Sequence, residues 1–243
     1  TLTGGTHQLT VNQRPLNATI ARQYDGTTNA AGSDVSSFDA LQGGESLTMS
    51  GTGTVASKDV ANGQSVTVGS LALANGGSGE LASNYILNSV ALNITKRVLG
   101  SSGSRVYDGT NNASNSNLTL SNLVGTETLT LSGTGTLGDA NVASNKTVTL
   151  NTLGITDGSN GGLAGNYTLS GGTHQLTVSQ RVVNVSGTRL YDALSTAVAS
   201  DLSTMTNLVG SQTLTLANSG TIASKDVGSN KTVTIGSLSL GNG

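Results

Sequence analysis

The side chains able to do acid–base, metal or nucleophilic chemistry are few. The 243 residues hold two His, five Tyr, thirteen Asp or Glu, eleven Lys or Arg and no Cys. His7 and His174 occupy the same place in two copies of Thr-His-Gln-Leu-Thr-Val, and the acid nearest His174 along the chain is Asp157. Nucleophilic catalysis needs a base, an orienting group and a nucleophile that meet in space. A histidine alone supplies one of the three, so it reads as a half-exposed strand residue. A calcium site needs six to eight oxygens with several carboxylates close together. The closest acids are Asp34 and Asp39, with no Asp-x-Asp pair, so no cofactor is expected and Ca2+ at a repeat junction is the one metal worth testing. Gly76-Gly77-Ser78-Gly79 and Gly161-Gly162 resemble phosphate loops in composition only, because no Gly-Lys-Ser/Thr follows them. Lys146 invites a Lys–Asn crosslink, but Gln64 stands at its aligned position in the first repeat.

One constellation recurs. Arg22, Tyr24, Asp25 and Gly26 reappear as Arg105, Tyr107, Asp108 and Gly109, and again as Arg189, Tyr191 and Asp192, with Ala193 in place of glycine. Eight residues before each of these arginines stands another, Arg14, Arg97 or Arg181, and these six are all the arginines in the chain. Tyr85 and Tyr167 recur in Leu-Ala-Ser-Asn-Tyr and Leu-Ala-Gly-Asn-Tyr. The tyrosines read as structural: each ring is one of few large side chains for a small core. The Asp-Gly pair supplies a turn in which glycine accepts positive φ, and the arginine can satisfy nearby carbonyls or the Asp at a junction.

These residues must be positioned by strands. Leu16, Ala18, Ile20, Arg22 and Tyr24 share one parity, as do Val183, Val185, Gly187, Arg189 and Tyr191, which predicts a strand with its tyrosine on the aliphatic face. Leu129/Leu131, Leu214/Leu216, Val148/Leu150 and Leu153/Ile155 give further strands, the last two separated by a bulge or tight turn. Ile86, Val90, Leu92 and Ile94 form the closing strand. The segments 51–73, 133–155 and 218–240 align without gaps. The period near 84 residues is domain-sized rather than one coil of a β-helix. The reading is therefore all-β: a tandem array of modules, each a β-sandwich or β-grasp-like fold with its own core, forming an elongated stalk. Residues 1–13 are the terminal strand of a preceding module, and 14–96, 97–180 and 181–243 are three modules, the third lacking its last strand. Because 1–13 match that missing strand, the two ends are complementary and strand exchange between copies is expected. A chain opening at Thr1 reads as an excised or processed piece.

Composition excludes other classes. Thr, Ser, Gly and Asn make up about half the chain, and the net charge is −2. These are poor helix formers, and with no cluster of Lys or Arg to follow a phosphate backbone, nucleic acid is not expected as a partner. No apolar run reaches the length of a spanning helix. Asn-x-Ser/Thr occurs eight times, close to what the composition gives by chance. Thr-x-Thr pairs such as Thr128/Thr130 suit exposed strand faces. They leave an ice-binding surface as a remote alternative.

Arg-x-Tyr-Asp-Gly-Thr, Gly-Thr-Gly-Thr with Lys-Asp-Val and Lys-Thr-Val-Thr, and Leu-Ala-Gly-Asn-Tyr-Thr-Leu follow one another in fixed order. This pattern resembles the YDG-type repeats which, with related MBG modules, build the stalks of large filamentous-haemagglutinin-like and biofilm-matrix adhesins of bacteria. It departs at Ala193 and at Ala140-Asn141, where the other copies have Lys-Asp. The resemblance implies an extracellular, two-partner-secreted segment of the cell surface or biofilm matrix that does no catalysis. It implies that the repeats contact their neighbours in the chain. Cell adhesion would follow from self-association into fibres or from contact with a matrix polysaccharide or partner adhesin.

Overall fold

The computed structural model describes residues 3–77 and 79–243; Thr1, Leu2 and the Ser78 of the first glycine run lie outside the described residues. Short strands and five single-turn 3-10 helices make up its regular structure, and no α-helix occurs among the described residues. The chain gathers into two compact units. One is Thr1–Ser102, Thr119–Gly133 and Thr152–His174, and the other is Gly103–Leu118, Thr134–Asn151 and Gln175–Gly243.

In the first unit, repeat 1 is built on a four-stranded sheet in the order Val35–Phe38, Arg14–Gln23, Tyr85–Thr95, Ala61–Ser65. The two central strands, first and last in the repeat, run parallel, with Arg14 opposite Tyr85 and Gln23 opposite Thr95. The outer strands are antiparallel to them. A parallel centre is not the pattern of an antiparallel sandwich; the sheet is mixed, with a parallel pair at its middle and antiparallel strands at its edges. The repeat adds two small antiparallel ribbons: Asn29–Ala31 with Thr52–Thr54, and Thr48–Ser50 with Ala72–Ala74.

The alternation read from the sequence is the alternation of burial. Leu16, Ala18, Ile20 and Tyr24 point inward, as do Val90, Leu92 and Ile94. Ile86 departs from it and is exposed. The register shifts between Leu16 and Asn17, whose partners are Leu87 and Ser89. Asn88 is therefore an extra residue, and a one-residue bulge turns every side chain before it to the opposite face. That shift sends Tyr85 inward. It joins Leu16 and Leu47 in the core, with Phe38, Leu41 and Leu73 packed around them.

Repeat 2 uses the same sheet order: Leu118–Ser121, Gly100–Val106, His174–Ser179, Ala143–Thr147. The expected break between Val148/Leu150 and Leu153/Ile155 is a tight turn with Asn151 at φ 44°. In repeat 3 the strand expected from Val183 onward shortens to Asn184–Ser186, paired with Thr204–Thr206. The parallel partner that Tyr85–Thr95 provides in repeat 1 has no counterpart within 181–243. Residues 3–13, expected as strand, have none before Arg14, and Leu9 and Val11 are exposed.

Candidate functional site: a tyrosine clasp between repeats

The arginine of each recurring motif builds a turn. Arg22 pairs with Asp25 and donates to the carbonyls of Thr27 at 2.7 Å and Asn29 at 3.2 Å. The Asp25 carboxylate accepts from both the amide and the hydroxyl of Thr27, each at 2.9 Å. Arg105–Asp108–Thr110 repeats this arrangement. Arg189–Asp192 does so at 3.3 Å, with Leu194 supplying the amide. Gly26 and Gly109 take φ 78° and 77°, and Ala193 takes 65°. The turn holds the preceding tyrosine in a fixed direction.

That direction is toward the next repeat. In the first unit, the Tyr24 hydroxyl donates to Glu127 Oε1 at 2.6 Å. Glu127 Oε2 accepts from Tyr167 at 2.6 Å, and Lys58 Nζ donates to Oε1 at 2.9 Å. The two rings meet edge to face with centroids 5.4 Å apart. Lys58 Nζ lies 5.6 Å from the centre of the Tyr24 ring, within cation–π range. Asn166, at the end of the 3-10 turn Ala164–Asn166, accepts from the Val60 amide at 2.9 Å and donates to Asp59 at 2.8 Å. Arg97 donates to the Tyr24 carbonyl at 3.4 Å while gripping Asn122 through its backbone and side-chain oxygens. The sequence reading puts Tyr24 in the core of its own repeat. The structure buries it completely, but against Tyr167 and Glu127 of the following one.

Burial raises the cost of a carboxylate at position 127, yet the hydrogen bonds from Tyr167, Tyr24 and Lys58 outweigh it and hold Glu127 below the usual carboxylate range. The phenols move the other way. Burial, then the bond to Glu127, raises Tyr24, and the same two causes push Tyr167 up to about 12. The arrangement therefore fixes a buried anion with three donors.

The second unit holds the equivalent joint in neutral form. Gln212 Nε2 donates to the Tyr107 hydroxyl at 2.6 Å, and Arg181 repeats the grip on Asn207 and reaches the Tyr107 carbonyl at 3.5 Å. Tyr107 is only half-buried, in an open groove that Arg181, Asn207, Gln212 and Asn242 also line. Among the described residues Tyr191 has no such partner, and it is 59% exposed. Tyr85 is the counterpart of Tyr167: it is buried, and its hydroxyl donates to Glu45 Oε2.

Glu127 carries the site, and sequence reasoning passed over it. Extending the gap-free alignment upstream places Glu45, Glu127 and Gln212 in one column and Lys58, Ala140 and Lys225 in another. Lys58 of one repeat meets Glu127 of the next, and in the neutral joint the two columns hold Ala140 and Gln212. This pairing between neighbouring copies is the signal that locates the joint.

The other candidates are structural. His174, expected to be half-exposed, is buried: Nε2 donates to the Leu169 carbonyl at 2.8 Å and Nδ1 lies 2.9 Å from the Ser101 hydroxyl. His7 is exposed. Lys146 pairs with Asp139 and donates to the Asn141 carbonyl at 2.8 Å. Gln64 makes the matching bond to the Asp59 carbonyl. Among the described residues no three His, Asp or Glu side chains gather as metal ligands, and no helix is long and apolar enough to cross a membrane.

The model of the YDG domain matches the chain three times in tandem, at residues 7–93, 91–175 and 173–243. The chain belongs to the YDG-domain family. No curated protein and no solved structure matches it. In these YDG repeats the Tyr-Asp-Gly motif works as a connector: Arg, Asp and Gly build the turn, and Tyr reaches across from it.

Proposed function

We propose that this chain is a structural segment, a stalk or fibre, of an extracellular bacterial adhesin acting in surface attachment or biofilm cohesion. The observation that carries this reading is the use made of the repeated side chains. Tyr24, Tyr107, Arg97 and Arg181 are engaged in joining one YDG repeat to the next. A ligand site present in every copy would leave its side chains facing solvent. Export to the cell surface rests on the resemblance in the sequence. A connector of this kind holds a binding tip away from its anchor without chemistry of its own.

The test is a graft. Placed between a surface anchor and a domain of known ligand, residues 1–243 should support attachment when the tip is present and give none without it. Attachment without the tip would favour a second reading, in which the repeats bind a polysaccharide or a partner adhesin. The open polar groove beside Tyr107 is the place for such a ligand, and a glycan array would identify it.

A further inference from the structure

The outermost strands of repeat 1 in sequence are the innermost in its sheet. Arg14–Gln23 opens the repeat, Tyr85–Thr95 closes it, and the two lie side by side in parallel. Arg14 stands opposite Tyr85 at one end of the pair, and Gln23 opposite Thr95 at the other. Beyond Gln23 the Tyr24 amide still donates to the Thr95 carbonyl at 2.9 Å. Repeat 2 begins at once, since Lys96 alone separates Thr95 from the strand Arg97–Val98. That strand pairs in parallel with Tyr167–Thr168 of its own repeat, Arg97 opposite Tyr167. Further along, the Tyr107 amide donates to the Ser179 carbonyl at 2.9 Å, as Tyr24 does to Thr95. The pairing of first strand with last therefore recurs in the next repeat.

A pull along the chain enters repeat 1 at Arg14 and leaves it at Thr95. These residues sit at opposite ends of a parallel pair, so the pull slides one strand along the other and the ladder bonds resist together. A pull on neighbouring ends of the same pair would open those bonds one after another. Residues 24–84, with both ribbons, lie between the two strands in sequence and come under tension only after the strands part. The ladder is interrupted at the bulge around Asn88, and a side chain bridges the gap. Asn88 Nδ2 and the Ser89 hydroxyl both donate to Asn17 Oδ1, at 2.8 and 2.6 Å. Two more bonds tie the ends of the pair: Gln13 Nε2 donates to the Ser83 carbonyl at 3.0 Å, and the Thr95 hydroxyl to the Arg22 carbonyl at 3.3 Å.

We propose that the parallel pair Arg14–Gln23 and Tyr85–Thr95, bridged at its bulge by Asn17, is a load-bearing clamp. Tension along the chain shears the pair, and while it holds, the remainder of the repeat is shielded from extension. Lys96 hands the load straight from the last strand of repeat 1 to the first strand of repeat 2, with no loop to stretch between them. Forced unfolding is governed by the rate of unfolding rather than by equilibrium stability. A repeat with few large side chains can therefore resist tension through the direction in which its hydrogen bonds are loaded. The inference rests on the stalk reading for the source of the tension; the clamp itself is read from the strands.

Single-molecule pulling of the full chain tests it. The chain has no cysteine, so thiol handles can be placed at chosen exposed positions. Handles at Asn12→Cys and Lys96→Cys shear the pair, and handles at Asn12→Cys and Asn84→Cys peel it from the Arg14–Tyr85 end. Shearing should need at least about twofold more force than peeling at the same loading rate, because the unfolding barrier sets the rupture force. It should release the repeat in one step of roughly 27–30 nm, the contour of residues 14–95. An insertion of about ten residues between the exposed Gly43 and Gly44 should lengthen that step by about 3.5 nm and leave the force unchanged. Asn17→Ala removes the bridge and should lower the shearing force more than Asp39→Ala, which removes only the bonds Asn17 makes outside the loaded pair. Thermal unfolding of each variant reports whether it is folded. Equal forces in the two geometries overturn the proposal. So does a shearing force that falls with the loop insertion, or one that Asp39→Ala lowers as much as Asn17→Ala. A grafted stalk that fails to support attachment while the two forces still differ would remove the stalk reading and leave the clamp standing.

Discussion

The Tyr24 hydroxyl lies 2.6 Å from Glu127 Oε1, across 103 residues of sequence and one repeat boundary. This bond makes neighbouring repeats energetically dependent. In an array of repeats, stability is approximately a sum of unit terms and nearest-neighbour interface terms. Tyr24 contributes to the second kind.

Replacing Tyr24 by alanine removes a fully buried aromatic ring and is expected to cost about 3–5 kcal/mol. Tyr107→Ala should cost roughly half as much or less, because that ring is half-buried and bonds an exposed glutamine. Tyr24→Phe keeps the ring and leaves Glu127 two donors, a loss of about 1–3 kcal/mol. Urea unfolding of the three variants separates these terms. Equal costs for the two alanine variants would show that each ring serves its own repeat.

The charged joint should be replaceable by the neutral one only as a pair. Lys58 is 35% and Glu127 7% exposed at the side chain. Glu127→Gln alone leaves Lys58 opposite an amide and weakens the bonds from both tyrosines. Lys58→Ala alone leaves a buried carboxylate with two neutral donors. Together they install the residue types that stand at the aligned positions Ala140 and Gln212. A double-mutant cycle should return a coupling of about 0.5–3 kcal/mol. Strict additivity would mean that the ion pair and the phenols act separately.

Much of this arrangement was legible in the sequence. The arginine, tyrosine and aspartate spacing and the period near 84 are visible because the turn needs the same residue types in every copy. The strand at Leu16–Ile20 follows from alternation alone. The partner of Tyr24 was hidden for two reasons. Its column changes type, from Glu45 and Glu127 to Gln212, so it does not stand out as a motif. It also lies in the next copy, while a strand pattern reports burial but not against what. The inward turn of Tyr85 was hidden by the single extra residue Asn88, which reverses the parity of Ile86.

The glycine of the motif should tolerate a methyl only if its partner shrinks. Gly26 and Gly109 have φ 78° and 77°, and an added Cβ meets Val124 or Val209 at under 3.0 Å. Gly109→Ala is therefore expected to cost about 1–2 kcal/mol for the backbone, plus the clash. Val209→Ala in the same chain should recover the clash portion. Ala193→Gly, relieving φ 65° without a facing valine, should change stability by less than about 1 kcal/mol, because the flexibility of glycine offsets the strain it removes. Thermal melting of the variants measures both.

The clasp should open at both ends of the pH scale, for opposite reasons. Glu127 is held below its ordinary 4.5 in the folded chain, so its contribution is fully present above pH 4.5 and is lost as pH falls through the lowered value. Tyr24 and Tyr167 are held above their ordinary 10.0, Tyr167 at about 12. Their contribution is fully present below pH 10 and is lost as pH rises toward about 12. Denaturant unfolding across pH should show both losses. Glu127→Gln should remove its share of the acid loss, since an amide does not titrate, and leave the share of Asp39, Asp108 and Asp139, which are also held below the usual range; it should lower the tyrosine ionisations toward 10, since a neutral partner no longer opposes a phenolate. Ultraviolet difference titration reads that second effect directly. An unchanged alkaline limb in Glu127→Gln would mean that burial alone, without the carboxylate, holds the two phenols protonated.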